Sequence, residues 1–174
     1  TEGIFRLIAA QKNAEITFAE EVDTKSYETD LLGSYQKKNS NGVVAALKEL
    51  QGFKIKEKHI KKGLKNVVKY TGLLGRWQVL GERPKIICDT AHNKEGLGLV
   101  MKQIDILGFQ QVHFVLGFVN DKNLDSVLSL FPKNGNYYFV RPNIPRGLEA
   151  KALKEAAAKF NLEGETFKSV KNAL

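Results

Sequence analysis

From residue 84 onward the chain keeps one alternation: short apolar runs rich in β-branched or aromatic residues, each followed by a segment of helical period. Pro84-Lys-Ile-Ile-Cys88 precedes a helical pattern over 94–107. Gln-Val-His-Phe-Val-Leu-Gly (111–117) precedes 123–131, and Asn-Tyr-Tyr-Phe-Val-Arg (136–141) precedes 147–160. Strands that alternate with helices need crossover connections, which are right-handed, and predict an α/β domain with a mostly parallel sheet and helices on both faces. Ligands bind such sheets where the carboxyl ends of strands meet helix N-termini. Asp89-Thr-Ala-His-Asn93 occupies the first of these turns, so function is sought there first.

The first half is organised differently. Residues 3–13 allow a helix, and 16–19 read as a short strand after it. A polar stretch over 20–30 leads to Leu31-Leu32-Gly33. From Asn39, the apolar positions Val43, Val44, Ala46, Leu47 and Leu50 recur at amphipathic helical spacing, with Asn39, Ser40 or Asn41 as the cap. Residues 57–68 read as one further helix carrying Ile60, Leu64, Val67 and Val68 on one face. Residues 71–75, with two glycines and no helical period, read as a linker. Residues 77–80 and 84–88 flank Gly81-Glu82-Arg83, a spacing suited to a hairpin. The chain ends as 170–174 begins another helical segment.

Composition excludes several classes. With 174 residues and 43% hydrophobic content the chain is long enough for a packed core. No apolar run approaches the ~20 residues of a membrane span, and Thr-Glu-Gly-Ile-Phe at the start has no signal-peptide pattern. The absence of an initiator Met reads as a fragment or processed chain. A single cysteine, Cys88, rules out an internal disulfide framework and fits a cytoplasmic protein. It stands one position before Asp89 with no neighbouring His and reads as a core residue, not a nucleophile. The net charge of +8 is concentrated: seven lysines fall between Lys54 and Lys69 against one acid, Glu57. Lysines without interleaved aromatics or Arg make a solvated helix face more readily than a base reader.

The candidate residues each have a structural alternative. Asp89, at a strand end, can accept hydrogen bonds from paired hydroxyls such as those of a ribose, and His92 can reach a phosphate; Asp89 or Asn93 can equally cap the following helix. Arg76, after Gly75, can pair with phosphate through both guanidinium nitrogens or simply be solvated. Gln36 and Asn39 can offer amides to a flat heterocycle or form a helix entry. Gly117, Asp121 and Lys122 fit a second ligand turn or an ordinary βα turn. His59 and His113 stand apart from His92, so no metal site is expected. Neither a P-loop nor a Gly-x-Gly-x-x-Gly nor a Gly-x-Ser-x-Gly run is present.

Taken in order, Leu32-Gly33-x-Tyr35-Gln36-x-x-Asn39, Gly75-Arg76-Trp77-Gln78, Asp89-x-Ala91-His92-Asn93 and Gly117-x-x-x-Asp121-Lys122 resemble the folylpolyglutamate synthase/dihydrofolate synthase branch of the Mur ligase superfamily. Asp-x-Ala-His-Asn is superfamily-wide; the first two motifs point to the folate branch. Thr90 stands where Gly or Pro is commoner. The resemblance implies a three-layer Rossmann-like C-terminal ligase domain over 74–174, its last strand missing, preceded over 1–73 by the tail of a P-loop ATPase domain, with 71–75 as hinge. It implies an ATP-dependent ligase that adds glutamate to dihydropteroate or folates through an acyl phosphate. Asn39 would lie near the adenine, Arg76 at the phosphates, Asp89 at the ribose and His92 beside the nucleotide and incoming glutamate. No catalytic residue or metal ligand is implied within this chain; the Mg2+ ligands would lie in an absent N-terminal domain, leaving the isolated chain an inactive monomer. A peptidoglycan-precursor Mur ligase is the alternative within the class, and a basic nucleic-acid-binding module the alternative outside it.

Overall fold

A computed structural model describes residues 2–22, 25–120 and 123–174. Backbone contacts divide the chain into two compact units, Thr1–Cys88 and Asp89–Leu174.

The first unit begins with helix α1 (Glu2–Gln11), none of whose residues is buried. Arg6 bonds Glu2 at 2.8 Å and Glu21 at 2.7 Å and lies 4.4 Å over the Phe18 ring, tying the helix to the segment after it. The strand expected at 16–19 does not form. A β-branched run becomes a strand only when a ladder partner satisfies its backbone, and no described segment pairs with it.

Helix α2 (Gln36–Glu49) buries Gln36, Ser40, Val44 and Ala45, a stripe that repeats every turn. It starts earlier than the apolar period predicts, so Asn39, Ser40 and Asn41 lie inside the helix and none of them caps it. The expected 57–68 helix is two: α3 (Glu57–Leu64) and α4 (Val67–Thr71). The break has a distant cause. Asp30 accepts the Val67 and Val68 N–H groups, each at 3.0 Å, and so caps α4 from far back in the sequence. Gly72, at φ 66°, closes α4 in the left-handed conformation that glycine tolerates.

The expected hairpin is present as β1 (Gln78–Glu82) and β2 (Lys85–Cys88), paired antiparallel from Gln78–Cys88 to Glu82–Lys85. Its turn is Arg83-Pro84, since Gly81 and Glu82 belong to the strand. Among the described residues β2 pairs with β1 alone, and the parallel sheet that the alternation predicts is built from later strands.

The second unit carries that sheet. Helix α5 (Lys94–Leu107) is followed by β3 (His113–Leu116), α6 (Leu124–Leu128), β4 (Asn136–Val140), α7 (Ala150–Ala158), β5 (Gly164–Phe167) and α8 (Val170–Ala173). The strands run parallel in the order β3-β4-β5. β5 is a strand the sequence pattern does not predict, because Gly-Glu-Thr-Phe has one apolar residue. On one face Phe114, Tyr137 and Phe139 form an aromatic ladder, with Phe114 and Tyr137 stacked at 5.2 Å. Leu97 of α5, Val127 and Leu128 of α6 and Leu153 and Ala157 of α7 join the same core. Phe139, Leu128 and Leu153 are fully shielded, and truncating any of them to Ala costs about 2–5 kcal/mol. Gly164 is required where β5 meets β4: an added Cβ would lie 2.0 Å from the Tyr137 carbonyl oxygen.

Helix α7 starts at Ala150, not 147, because the preceding residues are bonded elsewhere. Leu148 N–H donates to the Phe118 carbonyl at 2.8 Å, Asn120 N–H to Arg146 at 3.0 Å, and Val119 bridges Gly147. The loops leaving the carboxyl ends of β3 and β4 are thereby stitched into one rim.

Candidate functional site

The polar turn after β2 is held by its own side chains. Asp89 Oδ1 accepts the Ala91 N–H at 2.8 Å, an Asx turn that bends the chain immediately past Asp89. Asn93 Oδ1 accepts the Gly96 N–H at 2.8 Å and caps α5. The capping reading therefore belongs to Asn93, and Asp89 shapes the turn instead. His92 is exposed, and its Nδ1 lies 3.1 Å from the Thr90 carbonyl oxygen. A carbonyl only accepts, so Nδ1 carries the proton of that bond and Nε2 is the nitrogen turned outward. Cys88 is half-buried.

Gly117 ends β3 against the rim: an added Cβ would meet the Val140 carbonyl at 3.1 Å and the Pro142 ring at 3.2 Å. Asp121 and Lys122, the other members of that motif, lie outside the described residues.

In the first unit, the Gly75–Gln78 motif is a tight turn. Gly75 (φ 68°) and Trp77 (φ 51°) both adopt left-handed backbone, and Gly75 N–H donates to Gln78 Oε1 at 3.0 Å. A non-glycine residue with positive φ carries strain that its surroundings must hold; Trp77 is buried at 4% exposure. Arg76, between them, is half-buried and donates from Nη1 to the Gly75 carbonyl at 3.1 Å. Gln78 is thus a structural member of the motif, a role its position in the sequence gives no sign of.

The Gly33–Asn39 motif is likewise internally bonded. Gly33 is buried, and a Cβ there would sit 2.6 Å from the Tyr35 ring. Asn39 Nδ2 donates to Gln36 Oε1 at 2.9 Å. Gln36 is 3% exposed and Asn39 is exposed, so one amide is interior and its partner faces outward.

The structure joins Gln36 to Asn39, and Asp89 to Asn93 through one short turn. Asn39 and Arg76 lie in the Thr1–Cys88 unit, and Asp89 and His92 in Asp89–Leu174. Among the described residues no three His, Cys, Asp or Glu side chains gather as a metal site. Within the lysine segment Lys61 pairs with Glu57 (3.1 Å) and Lys65 with Glu28 (3.2 Å), while Lys25, from outside the segment, shares Glu57 (3.5 Å). The hydrogen bond from Lys61, with the charges of Lys25 and Lys61, holds the Glu57 carboxyl below its usual range. No helix among the described residues is long and apolar enough to cross a membrane.

Comparison with known proteins gives residues 75–174 a family. The family described as "Mur ligase, glutamate ligase domain" matches residues 75–174. A "Probable bifunctional folylpolyglutamate synthase/dihydropteroate synthase" of Haloferax volcanii is 25% identical over 150 residues, covering 86% of this chain and 17% of the relative. A "Dihydrofolate synthase/folylpolyglutamate synthase" of Buchnera aphidicola is 33% identical over 91 residues, 52% of this chain and 21% of the relative. Among solved structures, "E.coli FolC in complex with DHPP and ADP" is similar with a TM-score of 0.60 and 26% identity, covering 78% of this chain and 31% of that one. The chain thus spans about a sixth to a third of the length of these three proteins.

Proposed function

The chain belongs to the Mur ligase, glutamate ligase domain family, and from that premise we propose that it serves an ATP-dependent ligase that adds glutamate to dihydropteroate or folates. The reaction runs through an acyl phosphate: the acceptor's carboxylate takes the terminal phosphoryl group of ATP, and the glutamate amine then displaces phosphate to form the amide. Residues 74–174 are the closing ligase domain and 1–73 the end of an ATPase domain, a division supported by the start of the family match at residue 75. The single observation that carries the reading is that match, which encloses Arg76, Asp89 and His92 together. Relatives and a solved neighbour that bear folate-ligase names support the folate branch over a muropeptide one.

In this reading Arg76 pairs with the phosphates. Its guanidinium is presented from a turn fixed by Gly75 and Gln78, which lowers the ordering cost of binding. The Asp89 carboxylate accepts ribose hydroxyls, and the Asn39 amide meets the adenine. His92 turns its Nε2 toward the nucleotide and glutamate. Mg2+ would supply charge neutralisation at the transferring oxygens, and in this reading its ligands lie outside this chain, in the remainder of a longer cytoplasmic protein.

Arg76→Ala in the full-length protein tests the reading. It is expected to raise the KM for ATP about tenfold or more, the worth of one charge-assisted contact. An unchanged KM and kcat would remove Arg76 from the site.

A further inference from the structure

The pair of amides in the first turn of α2 is asymmetric. Gln36 is 3% exposed, while Asn39 is exposed. The Gln36 side chain spends its oxygen on Asn39 Nδ2 at 2.9 Å, and its own Nε2 is buried without a partner. A buried unpaired amide donor costs on the order of 1–3 kcal/mol, so the arrangement is not the one that folding alone would choose for this side chain. Its effect is on Asn39. With Nδ2 turned inward, the Asn39 oxygen is the end of the amide turned away from Gln36, and it can only accept.

We propose that Gln36 is a positioning residue that sets the base specificity of the nucleotide site by fixing the orientation of the Asn39 amide. The assignment rests on the reading that Asn39 faces the adenine. Adenine carries an exocyclic amino group that donates to an outward Asn39 oxygen. A 6-oxo purine such as hypoxanthine or guanine presents an acceptor at the same place, and two facing acceptors leave both unpaired. A freely rotating Asn39 would serve either base by turning over. Gln36, anchored in the interior of the helix face with Ser40, Val44 and Ala45, prevents that rotation.

The test compares KM and kcat for ATP and ITP in the full-length protein. The wild type is expected to prefer ATP about tenfold or more in KM, as one hydrogen bond replaced by an unpaired acceptor requires. Gln36→Met keeps the shape and removes the acceptor. Its ITP-to-ATP KM ratio is expected to fall toward one, with kcat for ATP within about twofold of wild type. Gln36→Glu, whose carboxylate still accepts from Nδ2, is expected to keep the preference. Gln36→Met combined with Asn39→Asp is expected to restore it, because a carboxylate accepts in either orientation. A Gln36→Met enzyme that retains the wild-type ratio overturns the proposal, as does a wild type with no preference. If Asn39→Ala loses affinity for ATP while Gln36→Met keeps the ratio, Asn39 stays at the base and only the positioning role falls. If Asn39→Ala changes neither ATP affinity nor the ratio, the reading of Asn39 falls instead. Should Gln36→Met fail to fold by circular dichroism, Gln36→Leu, which likewise lacks the acceptor, takes its place: a ratio that falls toward one upholds the proposal, and a retained wild-type ratio overturns it.

Discussion

Asp89 Oδ1 accepts the Ala91 N–H at 2.8 Å, so the carboxylate assigned to the ribose is also the post on which its own turn is built. The two roles separate by substitution. Asp89→Asn keeps an oxygen for Ala91 and removes the charge. It is expected to leave the urea midpoint within about 0.5 kcal/mol of wild type while raising the KM for ATP about tenfold. Asp89→Ala loses both and is expected to cost roughly 1 kcal/mol of stability besides. Equal ATP affinity in wild type and Asp89→Asn would confine Asp89 to shaping the turn.

Gly164 and Gly98 are both glycines inside regular elements, and the structure predicts opposite outcomes for replacing them with Ala. At Gly164 the new Cβ would stand 2.0 Å from the Tyr137 carbonyl oxygen, forcing β5 off β4. A loss of about 3 kcal/mol is expected. At Gly98, within α5, nothing lies within 4 Å, and a gain of about 0.5–1 kcal/mol is expected from helix propensity. Denaturant titration of the two variants checks both signs, and destabilisation at Gly98 would show that α5 packs more tightly there than the structure has it.

The Tyr137 hydroxyl donates to the Pro132 carbonyl within the core, and burial raises its pKa above the ordinary 10.0. The folded state therefore holds its proton to higher pH than the unfolded state. Stability from this group is complete below about pH 10 and is lost as pH climbs toward the raised folded value. Urea midpoints measured from about pH 8 to about pH 11 are expected to fall at the upper end in wild type and less so in Tyr137→Phe. Parallel curves would assign the loss to other tyrosines.

The parts of this fold that the sequence announces are those whose determinants are local. Helix α5 is readable at both ends, from the Asn93 cap and the left-handed Gly108, and the alternation after residue 84 yields β3, β4 and their helices. What it does not announce depends on distant partners. The break between α3 and α4 is made by Asp30, far back in the chain. β5 is a strand because β4 offers it a ladder, and 16–19 fails to be one because no described segment does. At the proposed site, Asp89, His92, Arg76 and Asn39 are candidates by residue type and motif alone. The division of labour is not legible there: Gln36 anchors Asn39, and Gln78 closes the Arg76 turn, because burial and bonding decide which amide is structural.

Labelled glutamate, followed in the full-length protein with ATP, Mg2+ and either dihydropteroate or tetrahydrofolate, tests the folate-ligase activity itself. One ADP is expected for each glutamate joined to the acceptor, with product formation that vanishes when ATP is withheld. No incorporation into either acceptor, alongside ATP-dependent transfer to a uridine-diphosphate muropeptide, would contradict it.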